Sequence, residues 1–205
     1  MAERLFNLIL AAPFFILGIV LHEYAHGWVA WKLGDPTAKY SGRLTLDPRA
    51  HFDPLGALMF LISALMGIGF GWAKPVPVNF YNLRNPRRDT ILVSLAGAGA
   101  NILIAFSCLL IYHLFKNSVP PLSKWFAIGF VLNLFLALFN LVPIPPLDGS
   151  KVLMALLPPR YAYSYAQLET FGFIILFIFI ISPFFDILIG IFQRLVSLFL
   201  GSPSG

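Results

Sequence analysis

Long apolar stretches separated by short polar segments dominate the chain. Five of them contain no Asp, Glu, Lys or Arg and cover residues 5–21, 54–73, 90–114, 125–147 and 170–185. The first continues past three ionisable residues to position 33, and the last continues past Pro183 to position 200 as two short helices. A helix that crosses a bilayer needs about 20 apolar residues. The pattern therefore predicts an all-α integral membrane protein, built as a polytopic helical bundle.

Three segments carry other signals. Residues 39–46 alternate β-forming and polar side chains and end at Asp47-Pro48, which predicts a short β-strand or hairpin. Residues 74–78 contain two prolines, which favour an extended backbone and at most an edge strand. Within 54–73, one proline and four glycines favour a re-entrant segment that enters the membrane and returns on the same side. A full crossing is the alternative.

These signals divide the chain into one membrane domain, residues 1–200, and a tail, 201–205. The segments of the domain are a first helix (5–33), a strand or loop (36–53), a re-entrant or spanning segment (54–73), a helix (90–114), a helix broken at prolines (123–157) and a C-terminal helical hairpin (166–200).

The composition excludes two broad classes of protein. Hydrophobic residues make up 59% of the chain and charged residues 11%, with a mean hydropathy of +0.82. Soluble domains have about 45–50% apolar residues and roughly 25% charged residues. The composition therefore predicts neither a soluble domain nor a disordered chain. The net charge of +5 fits loops that meet anionic lipid better than a nucleic-acid patch. Membrane lipid is therefore an expected partner, and nucleic acid is not.

The single cysteine and the N-terminal sequence remove two further possibilities. Cys108 lies in an apolar run, so we predict neither a disulfide framework nor a cysteine metal site. The first apolar run has no small-residue cleavage site after a short core, and we therefore expect a retained helix rather than a signal peptide.

The strongest chemical signal is the string His22-Glu23-Tyr24-Ala25-His26 inside the first apolar helix. Residues four apart lie about 40° apart around a helix, so both imidazoles face one point and can bind one Zn²⁺. Glu23 lies beside them and can take a proton from a zinc-bound water. Ionisable side chains inside an apolar helix are expensive and usually serve a function. The structural alternative is a polar cluster satisfied by interhelical hydrogen bonds.

A catalytic zinc needs a third protein ligand and an open position. The candidates are His51, Asp53, His113 and Asp148. Asp148 follows a proline-broken exit from an apolar helix, where non-helical backbone can line a cavity at membrane depth. We therefore favour Asp148 as the third ligand, although a helix N-cap is its structural alternative. His113 looks interfacial, and His51 and Asp53 lie in a polar loop.

Two motifs together resemble the site-2 protease family of intramembrane zinc metalloproteases. They are the His-Glu-x-x-His string and residues 140–149, which read Asn-Leu-x-Pro-x-Pro-x-Leu-Asp-Gly. Residues 96–101 resemble the small-residue Ala-Gly-Pro-x-x-Asn helix of that family, with Ala98 where proline is usual. Residues 71–79 match a short prokaryotic subgroup without a PDZ domain. The resemblance implies one zinc ion per chain and cleavage of peptide bonds in or near the transmembrane helices of membrane-protein substrates, as in regulated intramembrane proteolysis.

Two asparagines and the predicted strand are candidates for handling the substrate. Asn140 or Asn101 could donate a hydrogen bond to the developing oxyanion or hold the substrate backbone. Their structural alternatives are capping of a helix end and interhelical hydrogen bonding. The strand could pair with an unwound substrate by β-addition, or it could be a plain loop strand. Its residues are Gly42, Arg43, Leu44, Thr45 and Leu46.

Depth in the membrane predicts the topology. His22 lies 17 residues past Leu5, about 25 Å along a helix. Asp148 reaches the same depth only if 54–73 returns to the side from which it enters. That arrangement puts three Lys and Arg residues on the N-terminal side of the membrane and ten on the other side. A full crossing would put seven on the N-terminal side and six on the other. The positive-inside rule then places the N-terminus of this multi-pass cell-membrane protein outside and the active site nearer the cytoplasm.

Two other function classes use the same residues. A metal or proton transporter would use His22, His26 and Asp148 as a transit site, and a scaffold of the same fold would bind helices without cutting them. A glutamate placed as a base and the small number of other ionisable residues argue against the transporter. The presence of all three ligands and the glutamate argues against the scaffold.

Overall fold

The computed structural model describes residues 2–65 and 71–201, and no β-strand occurs among these residues. The fold class predicted from the apolar pattern is confirmed, because all regular structure described is helical. In chain order the helices are α1 (Ala2–Leu33), α2 (Thr37–Tyr40), α3 (Pro48–His51), α4 (Pro54–Leu65), α5 (Pro86–Phe115), α6 (Pro120–Asn140), α7 (Asp148–Leu156), α8 (Pro159–Ala166), α9 (Gly172–Ile180) and α10 (Pro183–Leu200). Two 3₁₀ turns, Phe80–Asn82 and Gln167–Phe171, precede α5 and α9.

Within the described residues, five helical segments are long and apolar enough to cross a membrane. They are α1, α5, α6, the continuous stretch Pro159–Ile180 and α10. Proline stands at the first position of α5, α6, α8 and α10, where its missing N–H group costs nothing and its φ angle suits the first turn. Helix α9 ends at Ile180 and α10 begins at Pro183, which confirms the predicted break, and the five candidate spans agree with the predicted polytopic bundle.

Helices α1, α5 and α6 enclose the main core. Its buried residues are Phe14, Ile104, Ala105, Cys108, Leu109, Phe130 and Leu134. Gly129 allows α6 to approach closely, because a Cβ atom there would lie 2.6 Å from Phe14 Cδ1 and 2.8 Å from Cys108 Sγ. Small residues at helix contacts are what packing inside a membrane favours. The three helices thus form a rigid frame around the chemical site.

The strand predicted at residues 39–46 is wrong. Residues 37–40 form the helical turn α2, and the backbone N–H groups of Arg43 and Leu44 both fold back onto the carbonyl of Ala38. Asp35 starts this turn, because its carboxylate accepts hydrogen bonds from the backbone and hydroxyl of Thr37. Local side-chain hydrogen bonds of this kind compete with strand pairing, and β-propensity alone is a weak signal.

The two described ends of segment 54–73 lie side by side. The Lys74 N–H donates to the His51 carbonyl at 3.0 Å. A Cβ atom at Gly56 would overlap the Trp72 carbonyl oxygen, so the returning chain passes directly over the start of α4. The described part of α4 has 12 residues and is therefore about 18 Å long. Residues 66–70 of the predicted re-entrant segment lie outside the described residues.

The end of α1 and the start of α5 also meet. Arg84 N–H donates to the Leu33 carbonyl at 3.1 Å, and the Asn82 amide donates to Asp35 at 2.9 Å. The chain between these helices therefore leaves and re-joins the helical frame at the same end. Of the predicted tail 201–205, Gly201 is described and the remaining four residues lie outside the described part of the chain.

Candidate metal centre and active site

The two histidines of the motif point to one place on the inner face of α1. Their Nε2 atoms lie 3.0 Å apart, and both side chains are buried. This is the outcome that the i, i+4 spacing predicts. Two ring nitrogens that face each other in a buried site need a cation or a proton between them, which marks the position as a candidate metal centre.

Asp148, the first residue of α7, completes the cluster. After α6 ends, residues 141–147 fold through tight turns, and α7 begins at Asp148. Its Oδ2 atom lies 3.1 Å from His22 Nε2 and 3.0 Å from His26 Nε2. Ligands of a tetrahedral zinc ion with bonds of 2.0–2.1 Å lie about 3.3 Å apart. The donor set and its spacing therefore fit zinc, and it is the only such group among the described residues.

Hydrogen bonds behind the histidines fix which nitrogen faces the cluster. His22 Nδ1 lies 2.7 Å from Asn101 Oδ1, and His26 Nδ1 lies 2.7 Å from the Val93 carbonyl oxygen. Both partners are acceptors, so each Nδ1 carries the proton. Each Nε2 therefore presents a lone pair to the cluster, which is the tautomer that a metal ligand requires.

Asn101 is held in turn by two other helices. Its amide nitrogen donates to Asn133 Oδ1 at 3.0 Å and to the Gly18 carbonyl at 3.2 Å. Asn133 is fully buried and donates to Gly129 at 3.1 Å. A relay of side chains from α6 through α5 thus orients His22 on α1.

Gly97 on α5 makes room for both imidazoles. A Cβ atom at this position would overlap His26 Nε2 and lie 2.6 Å from His22 Nε2. A methyl group at position 97 would therefore occupy the space in which the ring nitrogens converge.

Glu23 faces the same cavity and is held by a backbone group. Its Oε2 atom accepts a hydrogen bond of 2.7 Å from the Val76 N–H. Lys151 Nζ lies 3.8 Å from Asp148 Oδ1. This contact draws one carboxylate oxygen towards the lysine and leaves the other for the histidines.

A network around Asp35 anchors the loop that carries Val76. Asp35 is fully buried and accepts hydrogen bonds from Thr37, from the Asn79 N–H at 2.7 Å and from the Asn82 amide at 2.9 Å. Burial disfavours the charged carboxylate, but these hydrogen bonds outweigh burial, so the pKa of Asp35 lies below its ordinary value. The carboxylate therefore stays charged and keeps the loop at the end of α1.

The cluster opens into a cavity of about 1120 Å³. Its walls come from α1, residues 71–78, α5, α6 and the hairpin of α9 and α10. Helices α9 and α10, with Ile181 between them, contribute only apolar side chains: Phe173, Leu176, Ile180, Ile181, Phe185 and Ile189. Glu169, in the turn before α9, adds one carboxylate to the wall. The site thus combines a polar centre with a wide apolar wall.

Comparison with known proteins assigns the chain to a family. Residues 117–183 match the family described as Peptidase family M50. YwhC of Bacillus subtilis is 40% identical over 176 residues, which cover 82% of this chain and 78% of that protein. Rip2 of Mycolicibacterium smegmatis is 33% identical over 180 residues, which cover 85% of this chain and 68% of that protein. The chain belongs to peptidase family M50, the site-2 proteases.

The names of the relatives agree with the chemistry of the cluster. YwhC and Rip2 carry names that suggest a zinc metalloprotease. MJ0392 of Methanocaldococcus jannaschii is named a zinc metalloprotease and is 28% identical over 160 residues, which cover 77% of this chain and 38% of that protein. No solved structure matches the chain. As an M50 peptidase with five long apolar helices in its described part, the chain is an intramembrane zinc metalloprotease, and its His/His/Asp cluster is compatible with a zinc cofactor.

The other predicted ligands of this M50 peptidase lie elsewhere. His51 Nε2 donates to the Thr45 carbonyl, Asp53 Oδ1 accepts from the Gly56 N–H at the start of α4, and His113 Nε2 donates to the Phe199 carbonyl. None of them belongs to the metal cluster within the described residues. Gly42, Arg43, Leu44, Thr45 and Leu46 form no strand and are not among the residues that line the cavity, and their pairing with a substrate stays a prediction.

The two predicted asparagines have different surroundings. Both N–H groups of Asn101 are engaged within the protein, and its oxygen accepts from His22. It has no donor left for an oxyanion. Asn140 lines the cavity and donates one N–H to the Leu136 carbonyl at 2.9 Å, which leaves its second N–H available.

Four groups at the site were not found from the sequence. Asn133 had a signal, since it is a polar residue in the middle of an apolar stretch, 125–147. Gly97 belongs to the small-residue segment 96–101, but the sequence did not indicate that it lies against the two imidazoles. The Val93 carbonyl and the Val76 N–H are backbone groups, which residue types do not indicate.

Proposed function

We propose that His22, His26 and Asp148 hold one zinc ion and that Glu23 is the general base for hydrolysis of peptide bonds in or near transmembrane helices of membrane-protein substrates. The observation that carries this proposal is the convergence of three ligand atoms within 3.1 Å of one another. Glu23 lines the same cavity as these ligands. The apolar wall formed by α9 and α10 suits a substrate that arrives from the lipid.

The roles of the residues follow from their contacts. Zinc, when bound, supplies a Lewis acid that polarises the reacting oxygens. Glu23 takes the proton from the attacking water and passes it to the leaving amine. Asn101 and the Val93 carbonyl hold the two imidazoles in the ligand tautomer. The free N–H of Asn140 is our candidate donor to the oxyanion.

A substrate helix must unwind before this chemistry takes place. The backbone N–H and C=O groups of a helix are engaged in its own hydrogen bonds, and its diameter is about 10–12 Å with side chains. The ligand cluster is buried, and the cavity around it is lined mostly by apolar side chains. We therefore propose that only an extended segment of the substrate reaches the ligand cluster.

Removal of the metal is the direct test. Purified enzyme should cleave a single-pass substrate in detergent or liposomes, lose that activity with a zinc chelator and regain it when zinc is added. Asp148→Ala should bind zinc at least ~10-fold more weakly than wild type, because a three-ligand site loses one ligand. Metal content and cleavage rate are the measurements.

Asp53→Ala is the matched control, since this aspartate lies outside the cluster and its loss should leave the zinc content unchanged. Full zinc occupancy and activity in Asp148→Ala would contradict the ligand set. Zinc flux across liposomes without cleavage would instead favour a transporter.

We also propose that segment 54–73 is re-entrant, with both ends on the cytoplasmic side and the N-terminus outside. The hydrogen bond between Lys74 and His51 supports this proposal, as does the contact between Arg84 and Leu33. The excess of Lys and Arg at this end of the molecule gives the orientation.

Cysteine labelling from each side of the membrane tests this topology. In a Cys108→Ala background, single cysteines replace Tyr40 and Tyr81, which are 82% and 95% exposed. Both should react only from the cytoplasmic side, because they flank a segment that returns. A cysteine at Asn117, in the exposed loop between α5 and α6, should react only from outside. Labelling of positions 40 and 81 from opposite sides would mean that the segment crosses.

A further inference from the structure

Residues 75–77 form a strap with a single backbone donor. Pro75 and Pro77 have no N–H group, so Val76 alone can donate. Each proline also holds the preceding residue in an extended conformation, which restricts the direction of the Val76 N–H. The sequence Pro-Val-Pro thus presents one donor at a defined position.

That donor points at Glu23. The Val76 N–H and Glu23 Oε2 lie 2.7 Å apart. The Val76 side chain is 7% exposed and packs on α1 beside Gly27, whose added Cβ would lie 3.0 Å from Val76 Cγ1. Gly27 is four residues after Glu23, on the same helical face. The strap is therefore fitted to the part of α1 that carries the glutamate.

Contacts on both sides of Val76 hold the strap independently of Glu23. On one side, Lys74 N–H donates to His51, and Arg43 Nη2 donates to the carbonyls of Lys74 and Pro75 at 2.8 and 3.2 Å. On the other side, the Asn79 N–H donates to Asp35. The amide of Val76 is thus fixed before it meets the carboxylate.

We propose that the Val76 amide is a positioning group for Glu23, an inference that rests on the proposed role of Glu23 as the base. A glutamate has three rotatable bonds and does not hold one orientation by itself. The Val76 N–H holds Oε2 and leaves Oε1 to meet the attacking water. A misplacement of about 1 Å can cost about 10²-fold in rate. A carboxylate that is held in place therefore gives a higher kcat than one that is free to rotate.

The test removes this one donor. Val76→Pro deletes the N–H in a segment that is already extended, and a backbone ester at residue 76, introduced as the α-hydroxy analogue of valine, deletes it with the side chain unchanged. We expect kcat to fall at least tenfold, KM to stay within twofold and the zinc content to remain that of the wild type. A merely structural role would change KM or the zinc content together with kcat.

The control is the ester at Asn117, which lies in the exposed loop between α5 and α6, away from the cavity. Its N–H donates to no group within residues 2–65 and 71–201, so this ester should leave kcat unchanged. The inference is overturned if the Val76 ester turns over like the Asn117 ester, or if it loses zinc as well as activity. If Val76→Pro does not fold, the ester variant decides. Full activity of Glu23→Gln would instead overturn the proposed base, so the two failures are distinct.

Discussion

Glu23→Gln should bind zinc as the wild type does and lose peptide-bond hydrolysis. Glu23 is not one of the three ligand atoms of the cluster, so its replacement leaves the metal site complete. Glutamine keeps the size of the side chain and can still accept the hydrogen bond from Val76, but it cannot take a proton from water. The loss should reach at least the ~10²–10⁴-fold that acid–base catalysis typically contributes. Single-turnover cleavage of a transmembrane substrate and metal analysis measure the two properties.

Glu169→Gln provides the matched control. Glu169 is the other glutamate at this cavity, and no contact joins it to the ligand cluster among the described residues. Its variant should keep turnover within about twofold of the wild type. Equal losses in the two variants would indicate that negative charge in the cavity matters rather than a base at position 23. Near-native turnover by Glu23→Gln would remove Glu23 from the mechanism.

Local pattern was sufficient to predict the helices and much of the ligand cluster. The i, i+4 spacing of His22 and His26 fixes a common direction on any α-helix, whatever the rest of the fold. Asp148 was predictable because prolines interrupt an apolar helix immediately before it, and such interruptions are tolerated where they line a site. Both inferences need only a few neighbouring residues.

The rest of the site depends on contacts that are remote in sequence. Asn101 meets His22 across 79 residues, and the Val76 amide meets Glu23 across 53. No local pattern indicates which acceptor a buried asparagine will find, and backbone groups carry no sequence signal at all. The prediction of a strand at 39–46 failed for a related reason, since the carboxylate of Asp35 organises that turn from outside the segment.

Gly97→Ala should destroy the metal site although it changes no ligand. The added methyl group would overlap His26 Nε2 and lie 2.5 Å from His22 Cε1. Neither ring can move aside without loss of its hydrogen bond to Asn101 or to the Val93 carbonyl. Loss of a supporting contact alone costs about 10–100-fold in metal affinity. We therefore expect at least ~10²-fold weaker zinc binding, measured by competition with a chelator, and a parallel loss of cleavage.

Gly99→Ala on the same helix separates this steric effect from backbone effects. A Cβ atom at Gly99 meets nothing within 4 Å. Both variants exchange glycine for alanine inside α5, which favours the helix by about 1 kcal/mol in each case. Gly99→Ala should therefore bind zinc and cleave substrate like the wild type, with equal or greater thermal stability. Wild-type zinc affinity in Gly97→Ala would show that the ring nitrogens do not converge beside α5. The ligand geometry proposed for His22, His26 and Asp148 would then be wrong, because it requires that closeness.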